Sequence, residues 1–209
     1  MKQKENKTKP SQNGGFSRRG FLKGAGLTAA GTVIAGSGIL NLKGQTAGSD
    51  KTIGPDAITI RMTVNGKQRK LTVEPRTTLA DALRRELQLT GTKVGCDRGS
   101  CSACTVWIDG TPALSCMTLA VEVGSREVTT IEGISQHGEL HPIQDAFIEH
   151  DATQCGFCTS GMIMSTAHLL EKNSDPSIED VKAATRGNFC RCGTHPNVFK
   201  ATVEASKKI

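Results

Sequence analysis

The chain of 209 residues carries eight cysteines in two quartets: Cys96, Cys101, Cys104 and Cys116, then Cys155, Cys158, Cys190 and Cys192. Thiolate sulfur is a soft ligand that suits zinc and iron-sulfur centres. The first quartet reads C-x4-C-x2-C with a more distant fourth Cys, the ligand spacing of a plant-type 2Fe-2S cluster. A loop that holds three thiolates around an inorganic core must curl tightly and aim backbone N–H groups at sulfur. Small residues favour that, and Gly95, Gly99, Ser100, Ser102 and Ala103 supply them. The same N–H groups offset the negative charge of thiolates and bridging sulfides and tune the reduction potential. The second quartet combines Cys155-Gly156-Phe157-Cys158 with Cys190-Arg191-Cys192. Four Cys in that pattern suit an iron-sulfur cluster or tetrahedral zinc, and the quartet alone leaves both open. Disulfides fit less well. Eight Cys in 209 residues is below the roughly 8–10% of a disulfide scaffold, and a bond within Cys190-Arg191-Cys192 would be strained. A Rieske centre needs paired C-x-H and C-x-x-H sets, and Cys192-Gly193-Thr194-His195 offers only half of that.

The elements that must position these thiols differ between the two halves. Ile58, Ile60, Met62 and Val64 alternate on one face, and after Asn65-Gly66 the alternation continues through Leu71 and Val73, which predicts a β-hairpin. From Thr78, Leu79, Ala82, Leu83 and Leu87 fall at helical spacing, with Gly91 following. The small-residue loop ends at Cys104, Thr105 to Ile108 reads as a strand, Asp109-Gly110 as a turn, and Glu127 to Ile131 as a last short strand. These amount to a small sheet domain over 56–132. Beyond it strand signals vanish. Ile143, Ala146, Phe147 and His150 share a helical face, and Gly161 to Lys172 forms a second helix. Asp175-Pro176-Ser177 starts a third helix running to about Ala184, with Asp175 or Ser177 as cap, and Val198 to Ser206 makes a fourth. An all-helical domain over 133–209 is therefore expected. At about 75 residues each, such domains commonly need staples beyond their cores.

The formal charge of +6 sits at the start of the chain. Residues 1–55 hold nine basic and two acidic side chains, against 17 basic and 18 acidic in the rest. A nucleic-acid partner would need a basic face on the folded body, so that class is set aside. Ser17-Arg18-Arg19-Gly20-Phe21-Leu22-Lys23 precedes a mildly apolar stretch from Gly24 to Leu42, which reads as a twin-arginine export signal with linker over 1–50. A stable transmembrane span wants about 20 strongly apolar residues, whereas this stretch carries Gly24, Gly26, Gly31, Gly36 and Gly38. Gly24-Ala25-Gly26-Leu27-Thr28-Ala29 matches a dinucleotide pattern, but no strand precedes it and a targeting segment is excluded from fold reasoning. Cleavage after Ala47 and a periplasmic location are the resulting expectations. That export route serves proteins that take up cofactors before crossing, so the leader also predicts a cofactor.

With both quartets in order, residues 57–206 resemble the 2Fe-2S small subunit of the xanthine dehydrogenase and aldehyde oxidase type of molybdenum hydroxylases. The resemblance is carried by Gly95 to Val106 (GCDRGSCSACTV), His141-Pro142-Ile143-Gln144, Gln154 to Met162 (QCGFCTSGM) and Gly187 to Thr194 (GNFCRCGT). Ser102 stands where Gly is usual, and His195 where Tyr is usual; neither change removes a ligand. The resemblance implies an α+β chain: a β-grasp plant-type ferredoxin domain, then an all-α four-helix-bundle 2Fe-2S domain, with two 2Fe-2S clusters on the eight Cys. It also implies a large molybdopterin-binding catalytic subunit that oxidises aldehydes or N-heterocycles. The helical-domain cluster would receive the electrons and the ferredoxin-domain cluster pass them outward to a FAD subunit or c-type cytochrome. Gln154 and Cys192 match the positions that approach the pterin. The chain alone is not expected to bind or hydroxylate substrate. Two rivals are a free two-cluster carrier, which would expose no large apolar face, and a zinc-stabilised binding module. His137, His141, His150 and His168 read as solvent-facing or packed, and Met162, Met164 and Trp107 as core.

Overall fold

Residues 53–135 and 138–209 are described by the structure, a computed structural model. The leader with its expected signal and cleavage site, and His137, lie outside the described residues. Strands β1 (Ile58–Val64) and β2 (Lys67–Val73) form the expected hairpin, paired from Ile58↔Val73 to Val64↔Lys67. Its turn residues Asn65 and Gly66 have φ of 51° and 70°, a primed turn whose twist matches that of the strands. Asp109 (φ 50°) and Gly110 (φ 71°) close a second such hairpin between β3 (Thr105–Ile108) and β4 (Thr111–Leu114). With β5 (Glu127–Thr129) the sheet order is β2-β1-β5-β3-β4, β5 running parallel to β1 and antiparallel to β3. Pro112 sits on the edge strand β4, where its missing N–H leaves no gap in the ladder.

The helix expected from Thr78 takes an unusual form. Thr78 caps α1 (Leu79–Asp81), its Oγ1 accepting from the Asp81 N–H at 3.1 Å. The chain then widens into a π-helical turn over Ala82–Glu86, where the Leu87 N–H reaches back to the Ala82 carbonyl at 3.1 Å. Leu79, Ala82 and Leu83 are fully buried in the sheet core with Val64, Val106 and Val128. A 3-10 turn (Ser115–Met117) and the short α2 (Ala120–Val123) connect β4 to β5; neither was expected from the pattern.

Four helices follow: α3 (Pro142–Glu149), α4 (Thr159–Lys172), α5 (Ile178–Thr185) and α6 (His195–Ser206). His141 caps α3 in a box with Gln144, and Ser177 rather than Asp175 caps α5 in a box with Asp180. Helix α6 begins three residues before the expected Val198, because Pro196 occupies its first turn, where a missing N–H costs nothing. Helix α3 packs on α6, and α4 on α5 and on β3. Strand β3 is buried along its whole length. Val106 and Ile108 face the sheet core, whereas Trp107 joins the helical core of Ile143, Phe147, Met162 and Met164. The architecture is α+β, a mixed sheet followed by helices.

Candidate metal centres

The β3–β4 hairpin explains how the distant fourth Cys meets the first three. Cys104 immediately precedes β3 and Cys116 follows β4, across a register that pairs Thr105 with Leu114. Ser115 closes the gap, its Oγ donating to the Cys104 carbonyl at 2.7 Å. The preceding loop curls through Asp97 (φ 53°), Gly99 (φ 72°) and Ser102 (φ 54°). Ser102, which replaces the usual Gly, thus occupies the backbone region that glycine adopts most readily. Its carbonyl is held by Thr105, whose Oγ1 donates at 2.8 Å. The Ser100 N–H points at Cys96 Sγ, 3.2 Å away. N–H groups of Arg98 and Ser100 together hold the Cys96 thiol near a pKa of about 7, well below the usual thiol value. Burial and the neighbouring Cys104 push Cys116 up to about 11.

In the helical part, Cys158 forms the N-cap of α4 with Cys155 just upstream, and Cys190 and Cys192 lie in the loop before α6. The Asn197 side chain ties this loop's helix to the Asp151 carbonyl at 3.0 Å. Burial raises Cys158 to about 12. At Cys190 burial is outweighed by hydrogen bonds from the Thr194 hydroxyl and N–H, which bring the thiol to about 6; Thr194 Oγ1 lies 3.2 Å from Sγ. His195, the other departure from the family pattern, places Nε2 3.0 Å from the Asn188 carbonyl, two residues before Cys190. Its effect is thus on the shape of the ligand loop. Gln154 and Cys155 are exposed and Cys192 is half-buried, so these three lie at the surface end of the site.

All eight thiols are free of disulfides. Each thiol has its neighbouring thiols within its own quartet: Cys116 lies near Cys104 and Cys96, and Cys155 near Cys192 and Cys190. Among the described residues, no three His, Cys, Asp or Glu side chains converge to hold a single metal ion. The backbone N–H groups aimed at Cys96, and the hydroxyl at Cys190, are donors suited to negatively charged sulfur.

Of the remaining predicted positions, Trp107, Met162 and Met164 are core, as expected. His168 is partly buried, edge-on to Trp107, and His150 closes α3. Sequence reasoning missed the contacts that join the two ligand loops. The Phe189 N–H donates to the Cys101 carbonyl at 3.2 Å and Asn188 Nδ2 to the Ser102 carbonyl at 3.4 Å, while Trp107 Nε1, outside the loops, donates to the Met164 carbonyl at 2.9 Å. No local pattern marks partners so far apart in the chain, 86 residues for Asn188 and Ser102 and 57 for Trp107 and Met164.

The 2Fe-2S iron-sulfur cluster binding domain family matches residues 62–127, and the 2Fe-2S binding domain family matches residues 130–203. The aldehyde oxidoreductase iron-sulfur-binding subunit PaoA of Escherichia coli strain K12 is 39% identical, over 93% of this chain and 90% of its own length. The nicotine 6-hydroxylase small subunit of Paenarthrobacter nicotinovorans is 45% identical over 74% of this chain and 93% of its own. Among solved structures, quinoline 2-oxidoreductase from Pseudomonas putida 86 superposes with a TM-score of 0.69 at 44% identity, covering 73% of this chain and 98% of the matched one. Aldehyde oxidoreductase from Desulfovibrio gigas gives 0.67 at 42% identity over 71% of this chain, which spans 17% of that longer polypeptide. Two 2Fe-2S-binding domains in this order, matched over most of the chain by small subunits of that kind, settle the zinc alternative. The chain belongs to the iron-sulfur subunit family of the xanthine dehydrogenase and aldehyde oxidase type molybdenum hydroxylases, oxidoreductase complexes in which it is the 2Fe-2S component.

Proposed function

We propose that this chain is the electron-relay subunit of a periplasmic molybdenum hydroxylase acting on aldehydes or N-heterocycles. The observation that carries this reading is the presence of two quartets of free thiols whose loops meet where the Phe189 N–H donates to the Cys101 carbonyl. Cys96, Cys101, Cys104 and Cys116 would hold one 2Fe-2S cluster, and Cys155, Cys158, Cys190 and Cys192 the second. When bound, each 2Fe-2S cluster supplies a one-electron redox couple.

The protein's own residues give the relay a direction. Gln154, Cys155 and Cys192 form the surface end of the helical site and face the pterin of a large catalytic subunit, so electrons enter there. Gln154 offers both a donor and an acceptor to a pterin edge. Phe157 and Phe189 flank those ligands and are 49% and 63% exposed. Paired exposed aromatics beside a redox site favour a docked partner over a free carrier. The sheet domain, a β-grasp ferredoxin in this reading, is the exit toward a FAD subunit or c-type cytochrome, and α3 to α6 make up a four-helix bundle. Export by Arg18 and Arg19 delivers the loaded complex to the periplasm. No helix among the described residues is long and apolar enough to cross a membrane.

The native complex tests the proposal. Purified through this chain, it should contain a large molybdopterin-bearing subunit, and adding an aldehyde or N-heterocycle should reduce both iron-sulfur signals. A chain that purifies without a molybdopterin-bearing subunit, or a complex whose clusters no aldehyde or N-heterocycle reduces, would refute it.

A further inference from the structure

Helix α4 and the first ligand loop meet at one point with no side chain between them. A methyl group placed on Gly161 would sit 2.1 Å from the Ser102 carbonyl oxygen, 2.9 Å from Ala103 Cα and 3.0 Å from the Ser102 carbonyl carbon. All three are backbone atoms, so no rotamer change relieves the overlap. Gly161 lies in the first turn of α4, three residues after Cys158, and Ser102 lies between Cys101 and Cys104. The same seam contains the Phe189 N–H bond to the Cys101 carbonyl and the Asn188 Nδ2 bond to the Ser102 carbonyl. Phe157, between Cys155 and Cys158, adds an apolar contact: its Cε1 is 3.4 Å from a methyl placed on Gly95, next to Cys96. Every contact in the seam therefore joins a residue within three positions of one ligand set to a residue within one position of the other.

We propose that Gly161 is the positioning residue that sets the separation of the two redox sites. Its bare backbone lets α4 rest directly on the Ser102 peptide, and the Phe189 and Asn188 hydrogen bonds hold that approach. The proposal rests on both quartets carrying 2Fe-2S clusters and adds that this backbone contact sets how closely they approach. An ordinary carbon–oxygen contact is no shorter than about 3.3 Å, so a methyl at Gly161 must drive the loop and helix apart by about 1.2 Å. Gly187 supplies the contrast. A methyl there would meet only the Ser102 hydroxyl, at 3.0 Å, and that side chain can rotate away.

The test compares Gly161→Ala, Gly187→Ala and Asn188→Ala in the holo-complex, with iron and sulfide measured on each sample. The readouts are the dipolar splitting between the two reduced clusters by EPR and the rate of electron exchange between them by flash reduction. Gly161→Ala should keep both individual g-tensors yet show a smaller splitting and severalfold slower exchange, while Gly187→Ala matches the parent protein. Asn188→Ala removes one bond without a clash and should shift both readouts in the same direction by less. Parent-like splitting in Gly161→Ala at full iron occupancy overturns the proposal, as does equal behaviour of the two alanine-for-glycine variants. Should Gly161→Ala fail to accumulate, Asn188→Ala decides: reduced splitting supports the seam and unchanged splitting overturns it. Absence of two iron-sulfur signals in the parent protein would overturn the cluster reading, and the seam with it.

Discussion

Trp107 stands on β3, yet its indole lies in the helical core, 7% exposed, donating to the Met164 carbonyl at 2.9 Å and meeting His168 edge-on at 6.0 Å between ring centroids. It is the sole Trp, and it pins the sheet to α4. Trp107→Phe keeps an aromatic ring but removes the donor and the second ring. Loss of the hydrogen bond costs about 1 kcal/mol. The vacated ring volume removes apolar contact and leaves a cavity in a site with little room to collapse, about 1–2 kcal/mol more. The described residues belong to one compact unit, and in a unit of that size each kcal/mol moves the melting temperature by about 2–4 °C. A fall of roughly 4–12 °C is therefore expected. Thermal unfolding of the holo-protein, followed by far-UV circular dichroism and by the visible iron-sulfur absorption, provides the assay, and the two signals should be lost together. A shift below about 2 °C, or helical and sheet signals that melt separately in the parent protein, would refute the role given to Trp107.

Gln154→Ala should leave both clusters assembled and slow their reduction by substrate in the complex; rapid-mixing absorbance with iron and molybdenum assayed together is the check, and lost iron would instead indicate a structural role. Arg18→Lys with Arg19→Lys keeps the charge and should strand the holo-protein in the cytoplasm, as fractionation would show. At His141, burial holds the imidazole pKa below its ordinary 6.5, with Glu171 opposing, and the neutral Nδ1 accepts from the Ile143 N–H at 3.3 Å. The unfolded chain then binds the proton first, so stability should be present at neutral pH and decline as pH falls through about 6.5. Denaturant unfolding at pH values on either side should show this decline, and His141→Asn, which caps without titrating, should flatten it.

The first hairpin and the turn at Asp109-Gly110 were legible because both dipeptides meet the demand of two-residue turns for positive φ; the strand β4 that carries the chain back to bring Cys116 to Cys104 was not. Ligand sets were legible for a different reason: thiol spacing reports cluster geometry directly. Helix lengths were less so. Helix α4 begins at Thr159, two residues before its apolar pattern, because its cap is the ligand Cys158. The π-helical turn after α1 depends on which carbonyl Leu87 reaches, a choice made by packing of Leu79 and Leu83 against the sheet. Helix α2 is too short to nucleate alone and is held by tertiary bonds, Ala120 N–H to the Thr77 carbonyl among them. Reading 105–108 as a strand with Trp107 in a core did not reveal that both sides of β3 are covered, Val106 by the sheet core and Trp107 by the helical one. The join between ligand loops was not legible, since it brings together groups far apart in the chain, several of them backbone, around a glycine with no side chain.

Iron and acid-labile sulfide, measured on the purified folded chain together with EPR of the dithionite-reduced sample, test the central claim most directly. Eight thiols in two quartets predict about four iron and four sulfide per chain, a red-brown colour and two distinct reduced-cluster signals. Stoichiometric zinc with little iron, or a single signal at half the iron content, would contradict the account.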